Sequence, residues 1–98
     1  MKSITLNFYS DPGHGWAKVS LKMLVMLSIT DKISPYSYIR GKFAYLEEDL
    51  DAGIVVYALQ KAGYDVKYKE HNTNKSSKIR SYASYNIDKI DWETLTVL

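Results

Sequence analysis

The sequence predicts an α+β fold: a mainly antiparallel sheet of about five strands with two helices on one face. Three observations lead there. The spacing of apolar residues alternates along the chain between a period of two and a period near 3.6. A two-residue loop opening with glycine, Gly41-Lys42, separates two β-prone runs. A chain of 98 residues without internal repeats has room for one domain and one modest core. Residues 1–98 are therefore read as a single domain, with 71–98 as a polar loop and tail.

The elements follow in order. Ile4, Leu6 and Phe8 alternate with Thr5, Asn7 and Tyr9, the signature of a half-buried strand. The loop Ser10 to Gly15 ends it, and Trp16 to Val19 forms a second short strand. Ser20 stands where a helix N-cap belongs, and Leu21, Leu24, Val25 and Ile29 make an apolar stripe at helical spacing. Residues 31–35 close this helix. Residues 36–40 and 43–46 then pair as a hairpin through a type II′ turn at Gly41-Lys42. From Glu48 to Ala62 the period is helical again, with Leu50, Ile54, Ala58 and Ala62 on one side. Glu47, Glu48, Asp49 and Asp51 crowd the start, where the helix dipole favours negative charge. Gly63 suits the C′ position, and Tyr64, Val66 and Tyr68 mark a last strand. The order is β-β-α-β-β-α-β plus a C-terminal tail. Two helices cover one sheet face, so tyrosines can line the other.

Composition narrows the function. There is no cysteine, which excludes disulfides and thiolate chemistry. No apolar run approaches the ~20 residues that span a bilayer, and the start of the chain carries no signal-peptide core. A cytoplasmic, non-membrane protein is expected. A net charge of +2 is too small to argue for nucleic acid and rules against a nucleic-acid mimic, so direct nucleic-acid binding stays open. Nine tyrosines supply stiff contact area with polar tips, useful at binding surfaces as well as in strands.

The strongest candidate site is the loop Asp11 to Trp16. It places an imidazole between two glycines and beside an indole, and Gly13-His14-Gly15 could offer bare N–H groups to an anion. A cation there could draw on Asp11, His14 and Glu47, Glu48 or Asp49, although no metal-ligand spacing is present. Trp16 reads as a core anchor beside the loop. The acidic run has a structural explanation in the helix start and a functional one in a protein-facing acidic patch. Lys78, Arg80 and Tyr82 belong to a basic and aromatic stretch that could contact phosphates or simply solubilise an edge.

The blocks Asp11-Pro12-Gly13-His14-Gly15-Trp16, Ile33-Ser34-Pro35-Tyr36-Ser37-Tyr38, Tyr45-Leu46-Glu47-Glu48-Asp49-Leu50-Asp51 and Lys75 to Tyr82 resemble a group of small proteins common in tailed-bacteriophage genomes. The resemblance runs over roughly residues 6 to 85. Similar proteins often carry a cysteine where Leu50 stands, so no thiol role carries over. The resemblance implies a phage setting, in which small proteins often inhibit host machinery.

The sequence is thus read as a non-catalytic, phage-encoded inhibitor of a host protein, such as a component of a CRISPR-type defence nuclease, acting in the host cytoplasm without a cofactor. Tyr36, Tyr38 and Tyr45 would give rigid contact area, and Glu47, Glu48 and Asp49 would meet a basic patch. An alternative is a binder of a phosphorylated or nucleotide ligand held by His14, the loop glycines, Arg40, Lys78 and Arg80. A third, a metal-dependent hydrolase, would use Asp11, His14 and the acidic run.

Overall fold

The computed structural model describes residues 2–96. The first strand, β1 (Lys2–Ser10), pairs antiparallel with β2 (Gly15–Ser20) across the loop. Ser20 caps α1 (Leu21–Met26) as expected, its hydroxyl accepting from the Met23 N–H at 3.1 Å. The helix stops three residues before Ile29. Ser28 takes a left-handed φ of 58°, and the N–H groups of Ser28 and Ile29 turn back onto the carbonyls of Val25 and Leu24. That pair of bonds is a Schellman closure, with a serine in the place usually held by glycine.

The hairpin forms as expected. β3 (Tyr38–Arg40) and β4 (Phe43–Glu47) pair antiparallel, and Gly41 has a φ of +61° at the first loop position, as a type II′ turn requires. The first strand of the hairpin starts at Tyr38 because residues 34–37 are folded into a turn, in which the Ser37 N–H meets the Ser34 carbonyl.

The second helix, α2 (Ala52–Lys61), begins four residues later than the sequence suggests. Glu47 is the last residue of β4, residues 48–50 form a turn, and Asp51 is the N-cap residue with no side-chain capping bond. No acidic residue lies in the first turn, so of the acidic run only Asp51, at the N-cap, stands where the helix dipole acts. Gly63 closes α2 with a φ of +94°.

The chain then enters β5 (Tyr64–Asn72), which lies along β1 in parallel register, Leu6 opposite Tyr68 and Tyr9 opposite His71. This pairing corrects the mainly antiparallel expectation to a mixed sheet. A sixth strand, β6 (Ala83–Ser84), pairs with β3, giving the order β5-β1-β2-β4-β3-β6. A third helix, α3 (Trp92–Thr96), follows. The α+β class stands, with six strands and three helices in place of about five and two.

Strand alternation sorts the side chains into two layers. Leu6, Phe8, Ala17, Val19, Ala44 and Leu46 face Leu21, Leu24, Val55 and Leu59 from the helices, forming the main core. The opposite face carries Tyr9, Trp16, Tyr38 and Tyr45. It is covered in part by a 3₁₀ turn, Lys78–Ser81, whose Ile79 packs against Trp16 and Tyr45. The segment expected to be a polar loop and tail therefore builds a second small core. It also contributes Tyr85, buried in the main core, where its phenol donates to the Thr30 carbonyl. No helix among the described residues is long and apolar enough to cross a membrane.

Candidate functional site

The loop after β1 is shaped by Asp11. Its Oδ1 accepts the N–H groups of Gly13 and His14, each at 2.9 Å, and its own N–H donates to the His14 carbonyl. The same carboxylate reaches across to the 3₁₀ turn. Oδ2 accepts from Arg80 Nε at 2.6 Å and from the Ser77 N–H at 2.9 Å, while Oδ1 accepts from Arg80 Nη2 at 2.8 Å. This two-pronged guanidinium–carboxylate geometry is the strong form of an ion pair. The Arg80 guanidinium and the Ser77 N–H hold the Asp11 carboxyl far below the usual carboxylate range. Its side chain is only 1% exposed, yet what covers it is the loop and Arg80 and not the core.

Asp11 is thus a clamp with its acceptors engaged. Two expectations change with it. The N–H groups of Gly13 and His14 already serve Asp11, so they are not open to an outside anion. The glycines are also required by close approach rather than by unusual φ. A Cβ on Gly13 would stand 2.7 Å from Arg80 Nη2, and one on Gly15 would stand 2.5 Å from Phe8 Cζ.

Beyond the clamp, the pairing of β2 with β4 sets Trp16 opposite Glu47, and the Glu48 N–H continues the ladder to the Gly15 carbonyl. This register brings His14 to the acidic run: His14 Nδ1 lies 3.6 Å from Glu47 Oε1. Glu47 Oε2 accepts the Asp49 N–H at 2.9 Å, which folds the 48–50 turn and holds Asp49 beside it. On the neighbouring strand, Tyr38 meets the indole edge-on with ring centres 6.3 Å apart. The Ser34–Ser37 turn presents Tyr36, which is 70% exposed.

Together these residues surround a cleft of about 340 Å³, lined by His14, Trp16, Tyr36, Tyr38, Glu47, Asp49, Leu50 and Arg80. Arg80 lies 5.5 Å over the Trp16 ring. Trp16 is 2% exposed, and its Nε1 is the one buried polar side-chain atom among the described residues that lacks a hydrogen-bond partner. The charge of the cleft is unequal. Asp11 already neutralises Arg80, and His14 lies against Glu47, which leaves Asp49 as the lining carboxylate with no ion-pair partner among the described residues.

The other expected site residues lie elsewhere. Tyr45 is 8% exposed and belongs to the small core under Ile79; burial, with Tyr82 beside it, pushes its phenol above the usual range. It is a packing residue and not an exposed contact. Tyr82 packs against Tyr45 with centres 5.1 Å apart, and Arg40 lies 5.1 Å over the Tyr82 ring, outside the cleft. Glu48 turns to the helical side of the sheet, near Phe8 and Tyr68. Lys78 lines a different cleft. The anion set of His14, the loop glycines, Arg40, Lys78 and Arg80 is therefore not assembled. Nor is the cation set: among the described residues no three carboxylate, imidazole or thiol groups converge.

Sequence reasoning missed the residues that hold this arrangement. Asp51 is buried, and its Oδ2 accepts the Ser34 N–H at 3.0 Å, the Ser34 hydroxyl at 2.7 Å and the Ser37 hydroxyl. Ser37 Oγ in turn accepts the Glu47 N–H at 2.9 Å, and its carbonyl accepts the Tyr85 N–H. The serine-flanked proline announces a turn, but nothing in the sequence ties it to a carboxylate 17 positions away. Leu50 also went unnoticed as a cleft residue. Comparison of the chain with protein-family models, with curated proteins and with solved structures gives no match.

Proposed function

We propose that this protein is a non-catalytic binding module that takes a basic side chain of a partner protein into the cleft between Trp16, Tyr36, Tyr38, Glu47 and Asp49. The observation that carries the reading is the pairing of aromatic rings, Tyr36 exposed and Tyr38 edge-on to the indole, with the carboxylates of Glu47 and Asp49, while the lining cation Arg80 is already bound by Asp11 and His14 lies 3.6 Å from Glu47. Guanidinium and ammonium groups favour such a combination, because ring faces and carboxylates both attract them. A phosphorylated ligand in the same place would face Glu47 and Asp49, and the charge argument disfavours it. The partner class follows from this chemistry: a protein with a basic surface of the kind used for nucleic acid. The phage setting and a defence nuclease as target rest on the sequence resemblance alone.

The test is affinity capture from host lysate with the wild-type protein and with Tyr36→Ala combined with Asp49→Lys. Both positions are exposed, so the fold should survive. The expected result is a host protein held by the wild type, released by added nucleic acid and not held by the variant. Retention that ignores both changes, or no retention, contradicts the reading.

A further inference from the structure

The 73–78 loop closes a second cleft on the other side of the Asp11 clamp. It has a volume of about 360 Å³ and lies at the ends of β1 and β5. Its lining is opposite in character to that of the first. Lys75, Lys78 and His71 contribute to it, together with Ser76 and with Ser10, whose hydroxyl donates to Asn72 Oδ1, and no carboxylate does. Lys75 and Lys78 are exposed, and neither is in an ion pair among the described residues. Asp11, which takes the Ser77 N–H at the end of the loop, is committed to Arg80.

The loop that carries the lysines is pinned at both ends. The Thr73 N–H donates to the Ser10 carbonyl at 3.0 Å, and the Ser77 N–H donates to Asp11 Oδ2 at 2.9 Å. Between them the Lys75 N–H bonds Thr73 Oγ1, a local turn. The opposite wall is rigid as well. The His71 ring stacks on Tyr9 with centres 4.7 Å apart and planes 17° apart, and its Nε2 lies 3.0 Å from Asn7 Oδ1. Along β5, Lys69 shares the His71 side of the sheet by strand alternation and extends the positive charge.

We infer that this cleft binds the phosphate group of a nucleotide or of a single nucleic-acid strand. Two unpaired ammonium groups and the Ser76 hydroxyl suit a phosphate, which offers more acceptor oxygens than a carboxylate. The Tyr9–His71 ring pair beside them gives a base or sugar an apolar wall, as in sites that grip single strands through charge and ring contacts. The volume lies within the range of small-ligand sites, roughly 300–1,000 Å³. An acidic peptide would use the lysines and leave the ring wall idle. This site stands apart from the reading of the acidic cleft, since it shares no lining residue with it.

The experiment measures binding of inorganic phosphate, adenosine monophosphate, a labelled oligothymidylate and an oligoglutamate peptide. It compares the wild type, Lys75→Glu/Lys78→Glu and the charge-matched control Lys22→Glu/Lys32→Glu. The expected result is binding of at least one phosphate-bearing probe, weakened tenfold or more in the first variant and by less than half as much in the control. The arms separate the sources: mononucleotide binding identifies a nucleotide site, and oligothymidylate binding without it identifies a strand. For a strand, each lost lysine contact should flatten the dependence of log K on log salt by about 0.7. The inference is overturned if no phosphate probe binds at low salt, if the Lys75/Lys78 variant binds as well as the control, or if oligoglutamate binds as tightly as the phosphate probes.

Discussion

Replacing Asp51 with alanine should remove a large part of the stability of this fold, because its carboxylate holds the turn that presents Tyr36 to the cleft. The Asp51 carboxylate takes two hydroxyl bonds and one N–H bond on a single oxygen, two from Ser34 and one from Ser37. Bonds to a charged acceptor contribute about 1.5–3 kcal/mol each. The three would sum to more than 4 kcal/mol, but they share one oxygen, and Ser34 lies close enough to the surface to recruit water. A loss of about 3 kcal/mol is the reasoned value, the lower end being set by the two hydroxyls left without an acceptor. For a domain of this size that corresponds to a fall in Tm of about 12–24 °C. Urea unfolding at neutral pH, followed by circular dichroism, gives the quantity directly. The double variant with Ser37→Ala should lose clearly less than the sum of the single losses, because both changes break one bond. A loss under about 1 kcal/mol for Asp51→Ala, or strict additivity with Ser37→Ala, would refute the claim that this carboxylate ties the Ser34–Ser37 turn to the start of α2.

Three further outcomes follow from the geometry. Gly15→Ala drives a methyl group into the Phe8 ring, whose nearest atom would be 2.5 Å away, and should lower stability by about 1–3 kcal/mol in thermal unfolding; a neutral result would mean that Phe8 is free to move. The Asp11 carboxyl is depressed in the folded state by Arg80, so its contribution is present above the unfolded value near pH 4 and lost as pH falls below it. Asp11→Asn should therefore flatten the acid limb of the stability profile and leave the slope between about pH 5 and 7 unchanged. Tyr85 runs the other way. Burial pushes its phenol up to about 12, and its stabilisation is complete below the unfolded value near pH 10 and lost as pH rises through 12. Absorbance titration should show a late phenol component that ionises with alkaline unfolding, and Tyr85→Phe should reduce it by one phenol.

Local signals were legible in the sequence, and long-range pairings were not. The alternation of Ile4, Leu6 and Phe8, the Ser20 cap, the Gly41-Lys42 turn and the Gly63 closure each depend on a few neighbouring residues, and each appears where expected. The parallel pairing of β5 with β1 joins residues more than 60 positions apart and leaves no local trace. Tyr45 shows the same limit from the other side. Its strand phase correctly places it away from the helices, but the cover supplied by Ile79 comes from a basic, turn-rich stretch that carries no recognisable period. The acidic run was visible as a cluster, yet its cause was misread. Glu47 ends a strand, Asp51 serves two serines, and only Glu47 and Asp49 reach the cleft. The loop of Asp11 to Trp16 was recognised as special, while the reason, a carboxylate clamp on Arg80, required the fold.

The cleft itself can be read through its indole. Trp16 and Trp92 are the two tryptophans, and Trp92 Nε1 already donates to the Ile87 carbonyl, whereas Trp16 Nε1 has no partner. Titrating ¹⁵N-labelled protein with a short arginine-rich peptide should therefore move the Trp16 indole N–H signal and the amides of Tyr36 and Asp49, while the Trp92 signal and the Lys75 amide stay still. An unmoved Trp16 signal at saturating peptide, or shifts spread evenly over the surface, would contradict the assignment of this cleft to a basic side chain.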